Sequence, residues 1–319
     1  MPSPSTSLAT LRPDLGGSLE EFDAEADREG FIGLQVLPVI ESAKQASTYG
    51  KVTLKSLLAH RETQRSPGSG YARAGWEFDD ASYACVEHGA EEPVDDREAE
   101  MYADYFDAEL ISAQRARDVV LRNYEKRIAA AVFNTSTWTP TTITHEWDDA
   151  TNAVPITDVE GRVKAMWEAT GLWANALIIN RRVFRNLRNC AQIVDKVKNT
   201  QPVLPAQIGI PELQNAFDLP YIIVAGGAKD TANAEQTASI EPIWSDEYAA
   251  VARIATGPDI RRPGLGRTIH WGADGSSIGA TMESYRDETV RSDVIRARMD
   301  TDEVIMYTGC LQLFDNVTT

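Results

Sequence analysis

The chain has 319 residues, 43% of them apolar, and a net charge of −17 from 48 acidic and 31 basic side chains. That length and apolar content provide for two or three compact units with a real core, or for one domain with projections. The acidic balance excludes a general grip on nucleic acid, which needs clustered Lys and Arg, and excludes docking on anionic lipid.

No apolar run reaches the roughly 18–20 residues of a membrane helix, so no membrane partner is expected. The polar start, residues 1–7, lacks the basic-then-apolar pattern of a secretion signal. Cys85, Cys190 and Cys310 are far apart and form no CxxC pair. They read as reduced, buried small hydrophobes of a cytoplasm-like compartment, not as zinc ligands or a disulfide framework.

Residues 1–30 combine Pro, Ser and Gly with an acidic cluster (Glu20, Glu21, Asp23, Glu25, Asp27) and predict an arm ordered only by lying on something else. Residues 31–40 turn apolar and β-branched, which predicts a docking strand. Two extended segments, 49–58 and 71–86, flank the turn formers Ser66, Pro67, Gly68, Ser69 and Gly70. The long hairpin they predict has too few large apolar residues to stand alone. An acidic connector, 87–96, leads from it into a helix.

That helix start is marked by Pro93, by Asp95 as a cap and by Glu98 three residues later. Tyr102, Tyr105, Phe106, Leu110, Ala113, Val120, Leu121, Tyr124, Ile128, Ala131 and Val132 recur every three or four residues and predict one apolar stripe. Arg115, Arg117, Arg122, Glu125 and Arg127 fall on the polar remainder. From 96 to 134 such a helix would run roughly 58 Å, with a kink placed near Ser112.

Beyond it, 134–144 reads as loop or edge strand, 159–170 as an amphipathic helix, 176–179 as a buried strand and 182–189 as a helix. A helix at 211–217, a strand at 221–224 closed by Gly226-Gly227, and a strand at 248–254 complete a compact α/β unit over 157–255. After Gly257-Pro258 the pattern becomes β, at 267–271, 280–287, 292–299 and 304–313.

The segment Gly275-Ser276-Ser277-Ile278-Gly279 matches the G-x-S-x-G nucleophile elbow. That elbow needs a strand-to-helix turn and, later in the chain, a His as base. Here the following residues read as strand, and His60, His88, His145 and His270 all precede Ser277. A surface turn is the better reading, and a soluble α/β hydrolase using Ser277 the poor alternative. Residues 226–231 lack the phosphate-loop spacing, His145-Glu146 lacks the second His of a zinc-protease helix, and Gly264-Leu265-Gly266 lacks a third glycine. No catalytic residue, cofactor site or metal ligand is therefore nominated.

Glu91, Glu92, Asp95, Asp96, Glu98 and Glu100 complement the positive end of the helix and face solvent or basic partners. Divalent-cation binding is the weaker reading of the group. Arg61, Arg65 and Arg73 flank the hairpin tip, and arginine suits bidentate pairing with carboxylates across an interface. The expectation is that the hairpin of one subunit lies over the acidic helix of the next.

Arm, hairpin, acidic turn, long helix, α/β unit and late β-return together resemble the major capsid proteins of tailed bacteriophages. Residues 83–96, 175–188 and 302–313 carry the resemblance most closely. It implies an α+β, HK97-like capsid fold with an N-terminal arm at 1–47 and an extended E-loop at 48–92. A P-domain would follow at 93–156 and 256–302, with the spine helix at about 96–134, and an A-domain at 157–255 and 303–319.

The implied function is self-assembly through hexamers and pentamers into an icosahedral head shell enclosing phage DNA, without catalysis. Portal, scaffolding and decoration proteins are the implied partners, and the implied location is the virion after assembly in the host bacterial cytoplasm. Encapsulin compartments share the fold and are the alternative within it. Some members crosslink neighbours through a Lys–Asn bond. Here Lys51 and Lys55 stand at the hairpin base with none near the tip, so no crosslink is expected.

Overall fold

A computed structural model describes residues 10–11, 30–53, 58, 60, 63–68, 70–71, 78–102, 108–200, 208–232, 236–257 and 262–318. The N-terminal half contains β1 (Thr10–Leu11), α1 (Gly33–Val36), β2 (Val39–Ser42), β3 (Ala46–Val52), β4 (Phe78–Ala84), β5 (Val86–Asp95), α2 (Asp96–Tyr102) and α3 (Ala108–Val132). The middle contains β6 (Thr141–Thr142), α4 (Pro155–Thr170), β7 (Ala176–Asn180), α5 (Arg181–Leu187), α6 (Ala191–Thr200), α7 (Ile210–Phe217), β8 (Tyr221–Ala225), β9 (Ala228–Asp230), β10 (Ile240–Pro242) and β11 (Ala249–Ala252). The end contains β12 (Gly266–Trp271), β13 (Thr281–Asp287), β14 (Ser292–Ile305) and β15 (Leu311–Asp315).

The first sheet is organised around β14, whose 14 residues pair along both edges. One edge runs antiparallel to β5, from Ser292 opposite Asp95 to Thr301 opposite Val86. The other edge is shared end to end by β13, opposite Ser292–Arg298, and β12, opposite Thr301–Ile305. β2 adds in parallel to β12, and β1 pairs with β13. A separate two-stranded ladder, β3 with β4, forms the base of the hairpin from Ala46 opposite Ala84 to Val52 opposite Phe78.

The second sheet has the order β6-β15-β11-β7-β8, so the late strand β15 lies inside the α/β unit. Its strands β7 and β11 are buried on both faces. Along β7, Ala176 and Ile178 point into a core shared with α3 and the first sheet, while Leu177 and Ile179 point into a second core under α4, α5, α6 and α7. β11 alternates in the same way, with Ala250 and Ala252 on one side and Ala249 and Val251 on the other. Successive strand residues face opposite sides, so a strand covered on both reads as a continuous apolar run.

Several expectations are corrected. Residues 31–40 form a helical turn before the strand, because the amides of Ile32 and Gly33 are captured by a carboxylate from α3. The acidic stretch 87–95 is a strand, β5, and not a connector. Among the described residues β5 pairs only with β14, and Pro93 and a row of charges are what an unpaired strand edge tolerates. The expected break between 299 and 304 is absent: β14 is continuous, and the chain turns instead at Met306–Cys310 before β15. Helix α6 went unread, although Ile193, Val194 and Val197 at helical spacing seat it in the second core.

The spine is described as α2 and α3, and residues 103–107 of the predicted stripe lie outside the described residues. In α3 the stripe holds for Ala113, Val120, Tyr124, Ile128 and Val132, all buried. Arg117 and Glu125, assigned by periodicity to the polar face, are buried as well.

Candidate functional site: the spine-helix joint and the acidic strand

Glu125 is 1% exposed. Its Oε1 accepts the Ile32 amide at 2.8 Å and the Trp244 indole at 2.6 Å, and its Oε2 accepts the Gly33 amide at 2.8 Å. Three donors are what a buried carboxylate needs to offset the loss of water. Burial still pushes the Glu125 carboxyl above its ordinary range, against the pull of those donors. The side chain ties together three parts of the molecule: the N-terminal segment, the spine helix and the β10–β11 connection of the α/β unit.

Neighbouring contacts tighten the same joint. Gly30 lies so close to Gly226 that an added Cβ would stand 2.5 Å from the Gly226 nitrogen, and the Gly226 amide donates to the Gly30 carbonyl at 3.0 Å. Arg122 donates to the Ala228 carbonyl and to Asp118, and its guanidinium lies 5.8 Å from the Phe31 ring centre. Arg127 forks onto Glu303 of β14 at 2.8 and 2.9 Å. The Tyr124 hydroxyl shares a 2.7 Å hydrogen bond with Thr268 of β12.

The nominated acidic residues sit on β5 and at the start of α2, where arginines from β13 and β14 meet them. Arg286 forks onto Asp96 at 2.5 and 2.6 Å, which holds the Asp96 carboxyl below its ordinary range. Arg296 reaches Glu91 at 2.7 Å, and Tyr285 donates to Glu91 at 3.2 Å. Arg115 lies 3.7 Å from Glu92, and Asp95 accepts the Arg97 amide at 2.8 Å, capping α2. Glu100 is exposed. Arg65 is exposed, with its guanidinium 4.9 Å from the Tyr71 ring centre. Arg61, Arg73 and the Glu98 side chain lie outside the described residues. Sequence reading missed Arg286 and Arg296 because their partners are 190 and 205 residues away.

The G-x-S-x-G segment joins strand β12 to strand β13 with no helix after it. Ser277 bonds Thr281 and faces outward. Ser276 is the buried one: its Oγ lies 3.2 Å from His270 Nε2 and accepts the Asp300 amide at 3.1 Å. Below it, Arg298 joins Glu283 at 2.8 Å and Asp274 at 2.5 Å. With His270 and Ser276 3% and 7% exposed, the group fastens the loop to β14 and offers no substrate an approach. Among the described residues no three His, Cys, Asp or Glu side chains gather as a metal site, and no helix is long and apolar enough to cross a membrane.

No protein-family model and no curated protein sequence matches the chain. Solved structures do. A phage-related protein from Bordetella bronchiseptica RB50 aligns over 97% of this chain and 98% of its own, with a TM-score of 0.70 at 17% identity. The capsid of Myoviridae phage XM1 aligns over 90% and 92%, with a TM-score of 0.57 at 9% identity. An encapsulin from Synechococcus elongatus PCC 7942 aligns over 89% and 86%, with a TM-score of 0.54 at 9% identity. The chain has the α+β, HK97-like capsid fold.

Proposed function

We propose that this protein is a major capsid protein, which self-assembles into the icosahedral head shell of a tailed bacteriophage around packaged double-stranded DNA. The observation that carries the reading is the correspondence of fold along nearly the whole chain, 97% of it in one alignment. A fold alone does not dictate function. Here, though, no metal cluster gathers among the described residues, and Ser276, which lies 3.2 Å from His270 Nε2, is buried together with it.

In this reading residues 1–47 are the arm, 48–92 the E-loop, 93–156 with 256–302 the P-domain, and 157–255 with 303–319 the A-domain. Copies associate as hexamers and pentamers, with portal, scaffolding and decoration proteins as further partners. The place of work is the virion, after assembly in the host bacterial cytoplasm. Glu125 then serves as the pin between P- and A-domains. Arg61, Arg65 and Arg73 of one hairpin meet acidic residues of the next subunit, where Glu91 and Asp96 already have intrachain arginines and Glu100 points outward. The net charge of −17 suits a lining that contains DNA without gripping it.

The similarity to an encapsulin supports a second reading, a host-encoded compartment around a cargo enzyme. Negative-stain electron microscopy with sedimentation of the purified protein tests both. Closed shells, or rings of five and six, are expected. Nucleic acid inside phage-derived particles supports the capsid, and a cargo protein without nucleic acid supports the compartment. A protein that stays monomeric at all concentrations, under crowding and with its scaffolding protein present overturns both.

A further inference from the structure

We infer that His270 and Ser276 form a pH-sensitive latch, closed while the imidazole is neutral, which loosens the β12–β13 connection when the imidazole takes a second proton. The device lies within a single chain, so it stands or falls apart from the shell reading.

The hydrogen bonds set its direction. Ser276 Oγ accepts the Asp300 amide at 3.1 Å and lies 3.2 Å from His270 Nε2. A neutral imidazole has one bare nitrogen, and at Nε2 that nitrogen accepts the Ser276 hydroxyl proton. Amide, hydroxyl and ring then form one unbroken chain of donors and acceptors from β14 through the connection to β12. An imidazolium has no lone pair to offer. Its Nε2–H must donate, and the Ser276 proton loses its acceptor. The second nitrogen gives nothing back: Nδ1 is buried without a hydrogen-bond partner among the described residues, in a side chain 3% exposed. A charged N–H there is cut off from water and unpaired.

The connection, residues 272–280, is poised to respond. Ala280 sits at φ +72°, a conformation that an L-residue keeps only where its surroundings impose it. Apart from the latch, the Ser276 amide reaches Asp274 Oδ1 at 3.0 Å, the Ser277 amide reaches Thr281 at 2.8 Å, and Arg117 reaches the Gly279 carbonyl at 2.7 Å. Burial pushes the Asp274 carboxyl up, but the Ser276 amide and Arg298 outweigh it and hold it below its ordinary range. Those ties therefore outlast His270 on acidification, and the segment opens around Ser276 while Asp274 stays anchored.

Burial also lowers the His270 pKa below the ordinary 6.5, against the pull of Glu41 and Asp274. The neutral ring's contribution is complete above that ordinary value and is lost as pH falls through the folded one. Glu41 stands opposite His270 on β2, and Arg127 of α3 bonds Thr301, the residue opposite on β14. Glu283 of β13 is held by Arg298. The Cys85 thiol, which donates to the Ile269 carbonyl, is pushed up to about 11 by burial and stays neutral. Asp300 is the rival switch. Burial, with Asp274 and Glu87 nearby, raises its carboxyl, whose protonation would weaken a 3.4 Å tie to Arg298.

Hydrogen exchange of the full-length protein, read by mass spectrometry and corrected for the intrinsic effect of pH, tests the latch. Exchange at the imidazole C2–H gives the His270 midpoint in the same samples. That midpoint should lie below 6.5, and amides of residues 272–280 should lose protection about tenfold for each pH unit below it. His270→Gln cannot charge and should show no such pH dependence. His88→Gln should keep it, although burial lowers His88 too. Three results overturn the latch: wild-type protection that ignores pH, a midpoint at or above 6.5, or full pH dependence in His270→Gln. Loss of the dependence in Asp300→Asn, with His270→Gln unchanged, assigns the switch to Asp300 and overturns it as well. Should His270→Gln not fold, the wild type still decides, because its midpoint and its loss of protection must coincide in pH.

Discussion

A carboxylate removed from water must find donors or lose its charge, and Glu125 has found three. Truncating it strands two buried amides and an indole N–H. Glu125→Ala should therefore destabilise the fold by about 3 kcal/mol or more, read by urea unfolding. Burial holds the Glu125 pKa above the ordinary 4.5 in the folded state. A group with a raised folded pKa contributes fully below its unfolded pKa, and that contribution is lost as pH rises through the folded value. Glu125→Gln cannot ionise, so its stability should decline less steeply than the wild type's from about pH 4.5 upward. Parallel curves would remove the assignment. Asp96 behaves in the opposite sense. Its pKa is depressed by the Arg286 fork, so its contribution is present above the ordinary 3.8 and vanishes as pH falls through the folded value. The gap in melting temperature between wild type and Arg286→Gln should accordingly close on acidification below that point. A gap that stays constant to low pH would show that the pair is not what Arg286 contributes.

Among the elements, the N-terminal segment shows how little room the joint leaves. Gly30 adopts φ +80°, and a Cβ there would meet backbone atoms of Gly226 at 2.5 and 2.7 Å. Gly30→Ala combines the left-handed penalty with a backbone clash, together about 2–3 kcal/mol. Its expected signature is earlier cleavage near residues 30–37 in limited proteolysis, with α3 still protected. An unchanged digestion pattern would mean that the close approach is dispensable. The strand β5 makes a related point. Its acids and Pro93 look like a loop in isolation, yet ten consecutive residues pair with β14, because Arg296 and Tyr285 on the neighbouring strands meet Glu91 from across the sheet.

For the whole molecule, the second sheet is shared property. It contributes Ala176, Ile178, Leu311 and Leu313 to the core it has in common with the spine helix, and Leu177, Ile179 and Phe314 to the core under the helices. The last strand to be made is thus needed to close both. Deleting residues 311–319 removes the buried Leu311, Leu313, Phe314 and Val317. At about 1.5–3 kcal/mol for each side chain, the loss of about 6–12 kcal/mol is comparable to the total stability of a domain. The truncated chain should show neither a cooperative thermal transition nor assembly. A cooperative melt near the wild-type temperature would mean that β15 is an accessory.

The sequence by itself determined the local grammar. The stripe from Ala113 to Val132, the Asp95 cap, the turn at Pro67-Gly68 and the apolar runs within Ala176–Asn180 and Tyr221–Ala225 are short-range patterns set by backbone geometry and side-chain period. From their order alone the chain already resembled a capsid subunit. Periodicity tells which residues share a face but not what covers that face, and for that reason Glu125 and Arg117 looked solvent-directed. Only the tertiary structure brought the amides of Ile32 and Gly33 within 2.8 Å of Glu125, set Arg286 against Asp96, and laid β14 between β5 and the β12–β13 pair. Those pairings join residues tens to hundreds of positions apart, and their register depends on how both sheets close at once, which no local window of sequence records.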